Sequence, residues 1–306
     1  MPVTAFLRLV RFPNLLMIIL TQALVKYSLF EPFGLATTLG DLQFWLLVLS
    51  MVCLAAGGNI INDLYDEAAD RINKPHKKII GKHLSEKTAF NAYLLLNIIG
   101  VGIGFYLSNY VGKPSFVALF IMPSAFLFLY ASQIKGTVLV GNLVVSIMVA
   151  MIIVMVGIFD LIPAITPQNI TTQKVVFSIL IDYGIFAFLL NFLREMVKDQ
   201  EDITGDYNAG YHTLPVILGR KRTNKIIFLT ALLPLAGVLY YIYHYLFQNH
   251  LATLFALLFI LAPLLYFLVL IMATKTKSQY QHLSLVLKLI LAVGLLSIGL
   301  YRYILL

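Results

Sequence analysis

Apolar stretches recur along the whole chain, over residues 13–31, 42–62, 89–109, 114–133, 138–161, 174–194, 224–246, 251–273 and 283–305. Each is about twenty residues long, the length at which a helix crosses a bilayer. Charged residues are only 12% of the chain, far below an ordinary globular domain. The expectation is an all-α polytopic membrane protein with nine transmembrane helices and no soluble domain, forming one domain over 1–306. The first span follows Arg8 and Arg11, as a signal peptide would. Its apolar run is long for one and no small-residue cleavage site follows, so it reads as a retained helix. The lone Cys53 lies within the second span and reads as a packing residue.

The net charge of +8 raises the question of nucleic acid, but its distribution answers otherwise. With nine spans, one side holds the N-terminus and the connections after spans 2, 4, 6 and 8. Those segments carry 17 of the 22 basic residues, while the other side holds Lys113, Lys174 and Arg302. By the positive-inside rule that basic side is cytoplasmic in a cell membrane, and no nucleic-acid partner is implied. The excess also suits contact with anionic membrane lipid.

Nine of the fourteen acidic residues fall in two arrays that continue spans 2 and 6. The first reads Asn62-Asp63-Leu-Tyr-Asp66-Glu-Ala-Ala-Asp70 and ends at Asn73. The second contains Asn191, Arg194, Glu195, Lys198, Asp199, Asp202 and Asp206. Spacing by threes and fours puts each set on one helix face, where like charges repel unless something cationic sits among them. Two readings fit: solvated helix ends at the membrane surface, or carboxylates gathered around divalent metal and a polyanion. Mg²⁺ takes oxygen ligands and is commonly held by one or two carboxylates together with phosphate oxygens.

Asn59, Asn62 and Asn191 add neutral amides. Arg194, Lys198 and Lys135 are cations placed to neutralise a diphosphate. Lys135 closes the run Tyr130-Ala-Ser-Gln-Ile-Lys135, ahead of Gly141-Asn142, and serves equally well as a topology-setting lysine. Tyr65, Tyr130, Tyr183, Phe188, Phe192 and Tyr207 lie near the arrays and offer either packing or a surface for a developing carbocation. No zinc-ligand spacing, phosphate-cradling glycine loop, nucleophile elbow or dinucleotide fingerprint is present.

The paired patterns, N-D-x-x-D-x-x-x-D before span 3 and R-E-x-x-K-D-x-x-D-x-x-x-D before span 7, closely resemble those of the UbiA superfamily of intramembrane prenyltransferases. The nine spans, the Tyr130–Lys135 loop and Thr213-Leu214-Pro215 with Gly219 fit the same resemblance, which covers nearly the whole chain. It implies a bundle of nine helices around a central cavity, capped by two polar loops. It implies that Asn62, Asp63, Asp66 and Asp70, with Asp199, Asp202 and Asp206, bind a polyprenyl diphosphate through Mg²⁺ and act in catalysis. The chemistry would be electrophilic alkylation of a lipophilic acceptor as the diphosphate leaves.

The run from Arg194 to Pro215 is most similar to the geranylgeranylglycerol-phosphate geranylgeranyltransferase branch, and Asn73-Lys-Pro75 suits it too. Transfer from geranylgeranyl diphosphate to geranylgeranylglycerol phosphate, giving a diether lipid precursor, is therefore the expected reaction. The loop after the first array departs from the pattern of many members and reads His76-Lys-Lys-Ile-Ile-Gly-Lys-His-Leu-Ser85. Prenylation of an aromatic quinone precursor, dihydroxynaphthoate or hydroxybenzoate, is the alternative enzyme. A non-enzymatic transporter or lipid-binding protein is the other alternative, and intramembrane acids often mark transport paths. Both arrays, however, lie at helix ends on one side, away from the midplane where transporter sites sit.

Overall fold

The computed structural model describes residues 3–66, 79–81 and 83–301. Among them nine helices are long and apolar enough to cross a membrane: α1 Phe12–Phe30, α2 Asp41–Tyr65, α3 Glu86–Tyr110, α4 Pro114–Ile134, α5 Val140–Ala164, α6 Ile170–Asn208, α7 Arg220–Leu246, α8 His250–Ile271 and α9 Lys277–Leu300. No strand forms among the described residues; Ile80 and Leu84 make a single isolated bridge. The protein is an integral membrane protein of all-α class. Three of the helix starts carry side-chain caps: Ser85 for α3, Asn249 for α8 and a Thr276–Gln279 capping box for α9.

The largest departure from the apolar pattern is α6. Its hydropathy ends near residue 194, but its hydrogen bonding continues to Asn208 over 39 residues. At 1.5 Å per residue that is about 58 Å, against roughly 30 Å of hydrocarbon. The charged second array is thus helix, as is the first array up to Tyr65 at the end of α2. Charge ends the apolar signal without ending the helix.

The chain divides into two compact units, Met1–Lys135 with Met151–Ile181, and Gly136–Ala150 with Asp182–Leu306. In the first, α2 and α3 pack along their length, and small residues permit it. A Cβ on Gly100 would stand 2.9 Å from Leu54, and one on Gly104 only 2.3 Å from the buried Phe120 ring. Ser50 donates to the Gly100 carbonyl at 2.7 Å. Lipid offers no hydrophobic drive for helix association, so close packing and interhelical hydrogen bonds must supply it. Leu95, Ile98 and Phe105 point outward on the same α3 and are 58–68% exposed, as hydrocarbon-facing side chains are.

The first unit also buries an ion pair. Lys26 of α1 donates to Asp160 of α5 at 2.8 Å and to the Leu39 carbonyl at 2.9 Å, and the Leu39 amide donates to the second Asp160 oxygen at 2.8 Å. A buried pair survives when extra hydrogen bonds satisfy it. Local spacing does not reveal this pair, because Asp160 is 134 residues from Lys26.

The second unit has its own core. Leu193, Val197, Ile227, Phe267, Tyr280 and Leu287 are all essentially inaccessible. Tyr280 is not left with an orphan hydroxyl, since it donates to Asn224 and to the Thr274 carbonyl, both at 3.1 Å.

Gly104→Ala should force Phe120 out of place and cost about 1–3 kcal/mol. The measurement is a thermal unfolding midpoint in detergent. It should fall by several degrees and recover in part when Phe120→Leu is added; an unchanged midpoint in the single variant would refute the packing argument.

Candidate active site

The first array lies at the C-terminal end of α2, where the helix dipole already places partial negative charge. Carboxylates there are doubly unfavourable unless cations answer them, and cations do. Arg11 donates to Asp63 Oδ1 at 2.9 Å, and Lys135 pairs closely with Asp66 Oδ2. Burial alone would lower the Arg11 pKa, but Asp63, with Asp66 and Tyr130 beyond it, more than offsets this and holds the guanidinium above its ordinary value. Asn62 donates to the same Asp66 oxygen at 2.8 Å, and its own carbonyl oxygen accepts from Lys135 at 3.3 Å. Asn59 is turned to the Val10 carbonyl at 2.9 Å, tying the N-terminal segment to α2.

Asp66 caps α2 and is 4% exposed. Its Oδ1 has no hydrogen-bond partner among the described residues. A buried acceptor left open is rare in a native protein and points to a missing donor or cation. Tyr130 opens a π-helical turn, Tyr130–Ile134, that ends α4, and the Lys135 amide closes it on the Tyr130 carbonyl at 2.9 Å. Such widened turns are frequent at functional sites. This one delivers Lys135 to Asp66. Asp70, the last carboxylate of the first pattern, lies outside the described residues, as do Asn73, Lys77, Lys78 and Lys82.

The second array occupies the last turns of α6. Asp199 accepts from Asn142 Nδ2 at 2.8 Å, and Asp206 accepts from the Thr213 hydroxyl at 3.2 Å. Asp206 is buried and Asp202 half-buried. The chain leaves α6 through Gly210 at φ +74, a left-handed residue suited to a helix end, and the Tyr211 amide returns to the Asp206 carbonyl at 2.9 Å. Arg194 and Lys198, expected as diphosphate contacts, both turn to Glu195, at 3.5 and 2.6 Å. Arg194 Nε is buried without a hydrogen-bond partner. Asn191 donates to Ser146 at 3.3 Å.

Of the aromatics, Phe188 and Phe192 stack at 6.0 Å beside Asn191, Tyr183 bonds Ser297 at 2.6 Å, Tyr65 packs edge-on to Phe128, and Tyr207 is exposed. Among the described residues no three His, Cys, Asp or Glu side chains converge on one point. The first unit thus collects Arg11, Asn62, Asp63, Asp66 and Lys135, and the second collects Asn142, Asp199, Asp206 and Thr213. Arg11 and Asn142 were not among the expected site residues. Their roles depend on contacts 52 and 57 residues away in sequence, beyond the reach of any local spacing rule.

A profile of the UbiA prenyltransferase family matches residues 16–303 of the chain. A digeranylgeranylglyceryl phosphate synthase of Korarchaeum cryptofilum is 32% identical over 195 residues, 63% of this chain and 62% of that protein's length. A digeranylgeranylglyceryl phosphate synthase of Methanosphaera stadtmanae is 28% identical over 80% of this chain and 83% of its own length. A solved UbiA homologue of Archaeoglobus fulgidus bound to GPP and Mg²⁺ shares the fold, with TM-score 0.58 and 16% identity, covering 96% of this chain and 99% of that one.

Lys135→Met removes the cation from a buried carboxylate. Full burial would make the cost about 3–5 kcal/mol; Lys135 is 27% exposed, so the loss should be smaller but plain in a thermal midpoint taken without divalent metal. Added Mg²⁺ should raise the variant's midpoint more than the wild type's. Equal midpoints and equal responses to Mg²⁺ would show that Lys135 does not neutralise Asp66.

Proposed function

Because this chain belongs to the UbiA prenyltransferase family, we propose that it transfers the prenyl group of geranylgeranyl diphosphate to geranylgeranylglycerol phosphate. The observation that carries this reading is Asp66, a buried carboxylate with one oxygen held by Asn62 and Lys135 and the other open. An open, buried carboxylate oxygen at a negative helix end fits a hard divalent cation, and Mg²⁺ suits its oxygen donors. Asn62, Asp63 and Asp66, with Asp70 of the same pattern, would hold one such ion at the first array, and Asp199, Asp202 and Asp206 another at the second. Bound there, an ion would draw charge onto the leaving diphosphate.

The chain's own cations do the rest of the electrostatic work. Lys135 faces Asp66 in the first unit, and Arg194 and Lys198 face Glu195 in the second; each set offers donors that a diphosphate can take over. The allylic C–O bond breaks with its electron pair on the diphosphate. The acceptor's hydroxyl oxygen forms the new ether bond, and its proton passes to the released diphosphate. The Phe188–Phe192 pair beside Asn191 offers an aromatic face to the developing carbocation. Two relatives bearing the name digeranylgeranylglyceryl phosphate synthase support the phosphate-bearing acceptor, as does the Arg194–Pro215 run. The basic bias of the N-terminus and of the connections after α2, α4, α6 and α8 supports a cytoplasmic site in a cell membrane.

The test is prenyl transfer by purified protein in liposomes, with radiolabelled geranylgeranyl diphosphate, Mg²⁺, and geranylgeranylglycerol phosphate or dihydroxynaphthoate offered separately. Product should form with the phosphate acceptor; product with the aromatic alone would move the protein to quinone precursors. Asp66→Ala and Asp202→Ala should each cut turnover by roughly 10²-fold or more while the protein still folds. Full activity in either would remove that carboxylate from the chemistry.

A further inference from the structure

Helix α5 begins inside the second unit, directly after Leu139, which sits in the left-handed region at φ +60. A leucine is disfavoured there, so surrounding structure must hold it. The connection that bends is clamped on its other side: the His212 amide donates to the Gly136 carbonyl at 2.7 Å, and the Tyr211 ring fills the space a Cβ on Gly136 would need. The outcome is an α5 whose first turn is docked against α6.

That first turn carries Asn142. An asparagine near a helix start ordinarily turns its amide to nearby backbone. This one reaches across to α6 and donates to Asp199 Oδ2 at 2.8 Å. Behind it, Ser146 donates to the Asn142 carbonyl at 2.6 Å and accepts from Asn191 at 3.3 Å. Asn142, Ser146 and Asn191 are all less than 10% exposed. The bond therefore belongs to a buried relay that runs from α6 through α5 and back to α6.

The character of the donor matters. Asp63 and Asp66 take their hydrogen bonds from a guanidinium and an ammonium, whereas Asp199 takes its hydrogen bond from a neutral amide, with the Lys198 ammonium acting on it electrostatically. A neutral donor fixes a carboxylate's orientation without cancelling its charge, as partners of metal-binding groups do. We propose that Asn142 is a positioning residue that presents Asp199 to the divalent cation, an inference that rests on the Mg²⁺-dependent reading given above. Ser146 supports it by fixing the start of α5.

The experiment uses the full-length protein in detergent, with Mn²⁺ as an EPR-visible probe of the cation site and a parallel kinetic assay. Asn142→Leu keeps the volume and loses the donor. It should weaken Mn²⁺ binding about 10-fold or more and lower kcat at saturating substrates. The KM for the acceptor and the metal-free thermal midpoint should stay near wild type. Asn142→Gln, which keeps an amide, should recover part of both losses, and Ser146→Ala should show a smaller loss of each. Wild-type Mn²⁺ affinity and kcat in Asn142→Leu would overturn the proposal. Should that variant fail to fold, unchanged Mn²⁺ affinity and kcat in Ser146→Ala would overturn it instead. Wild-type protein that binds Mn²⁺ but transfers no prenyl group sinks the proposed reaction alone, because the metal readout still judges Asn142. A wild type that binds no Mn²⁺ overturns both.

Discussion

The close pairing of Lys135 with Asp66 joins the end of α4 to the end of α2, at a place where electrostatics would otherwise push the structure apart. Asp63 and Asp66 stand in the last turn of a helix whose dipole is already negative there. Arg11 answers Asp63 and Lys135 answers Asp66, so the N-terminal segment and the α4 turn are both drawn onto α2. Asn59 adds its bond to the Val10 carbonyl. Much of the local architecture of the first unit follows from the need to bring positive charge to that one helix end.

The apolar part of the first unit obeys a different rule. Its helices must associate in a medium as greasy as their own side chains, and Gly100 and Gly104 let α2, α3 and Phe120 approach closely enough for dispersion and the Ser50 hydrogen bond to count. Lys26 and Asp160 bring charge into the interior, with Leu39 supplying both a donor and an acceptor to complete them. In each case polarity is tolerated only where every group is answered. Asp66 Oδ1 is left open, as are Gln22 Oε1 and Gln173 Oε1 in the same unit, and of these three it is the one on a carboxylate.

The two carboxylate sets are built alike in helical phase but differ in what holds them. Protein cations hold the first; an amide and a hydroxyl hold Asp199 and Asp206 in the second. Cations in the second array are close by, yet they turn to Glu195.

The sequence by itself determined the all-α membrane class and the approximate limits of the nine spans. Twenty-residue apolar runs allow almost nothing else, and the charges that end them are local facts. It also determined the phase of the arrays, since Asp63 and Asp66, or Asp199, Asp202 and Asp206, share a face through helical geometry alone. Helix length through charged stretches was not legible: α6 runs on to Asn208, because backbone hydrogen bonds do not register the hydropathy of the side chains they carry. Tertiary structure alone decided the partners. Lys26 meets Asp160, Arg11 meets Asp63 and Asn142 meets Asp199 across 134, 52 and 57 residues. Only folding brings such groups within hydrogen-bond reach, and a side chain's charge says what it needs without saying which of many distant groups will supply it.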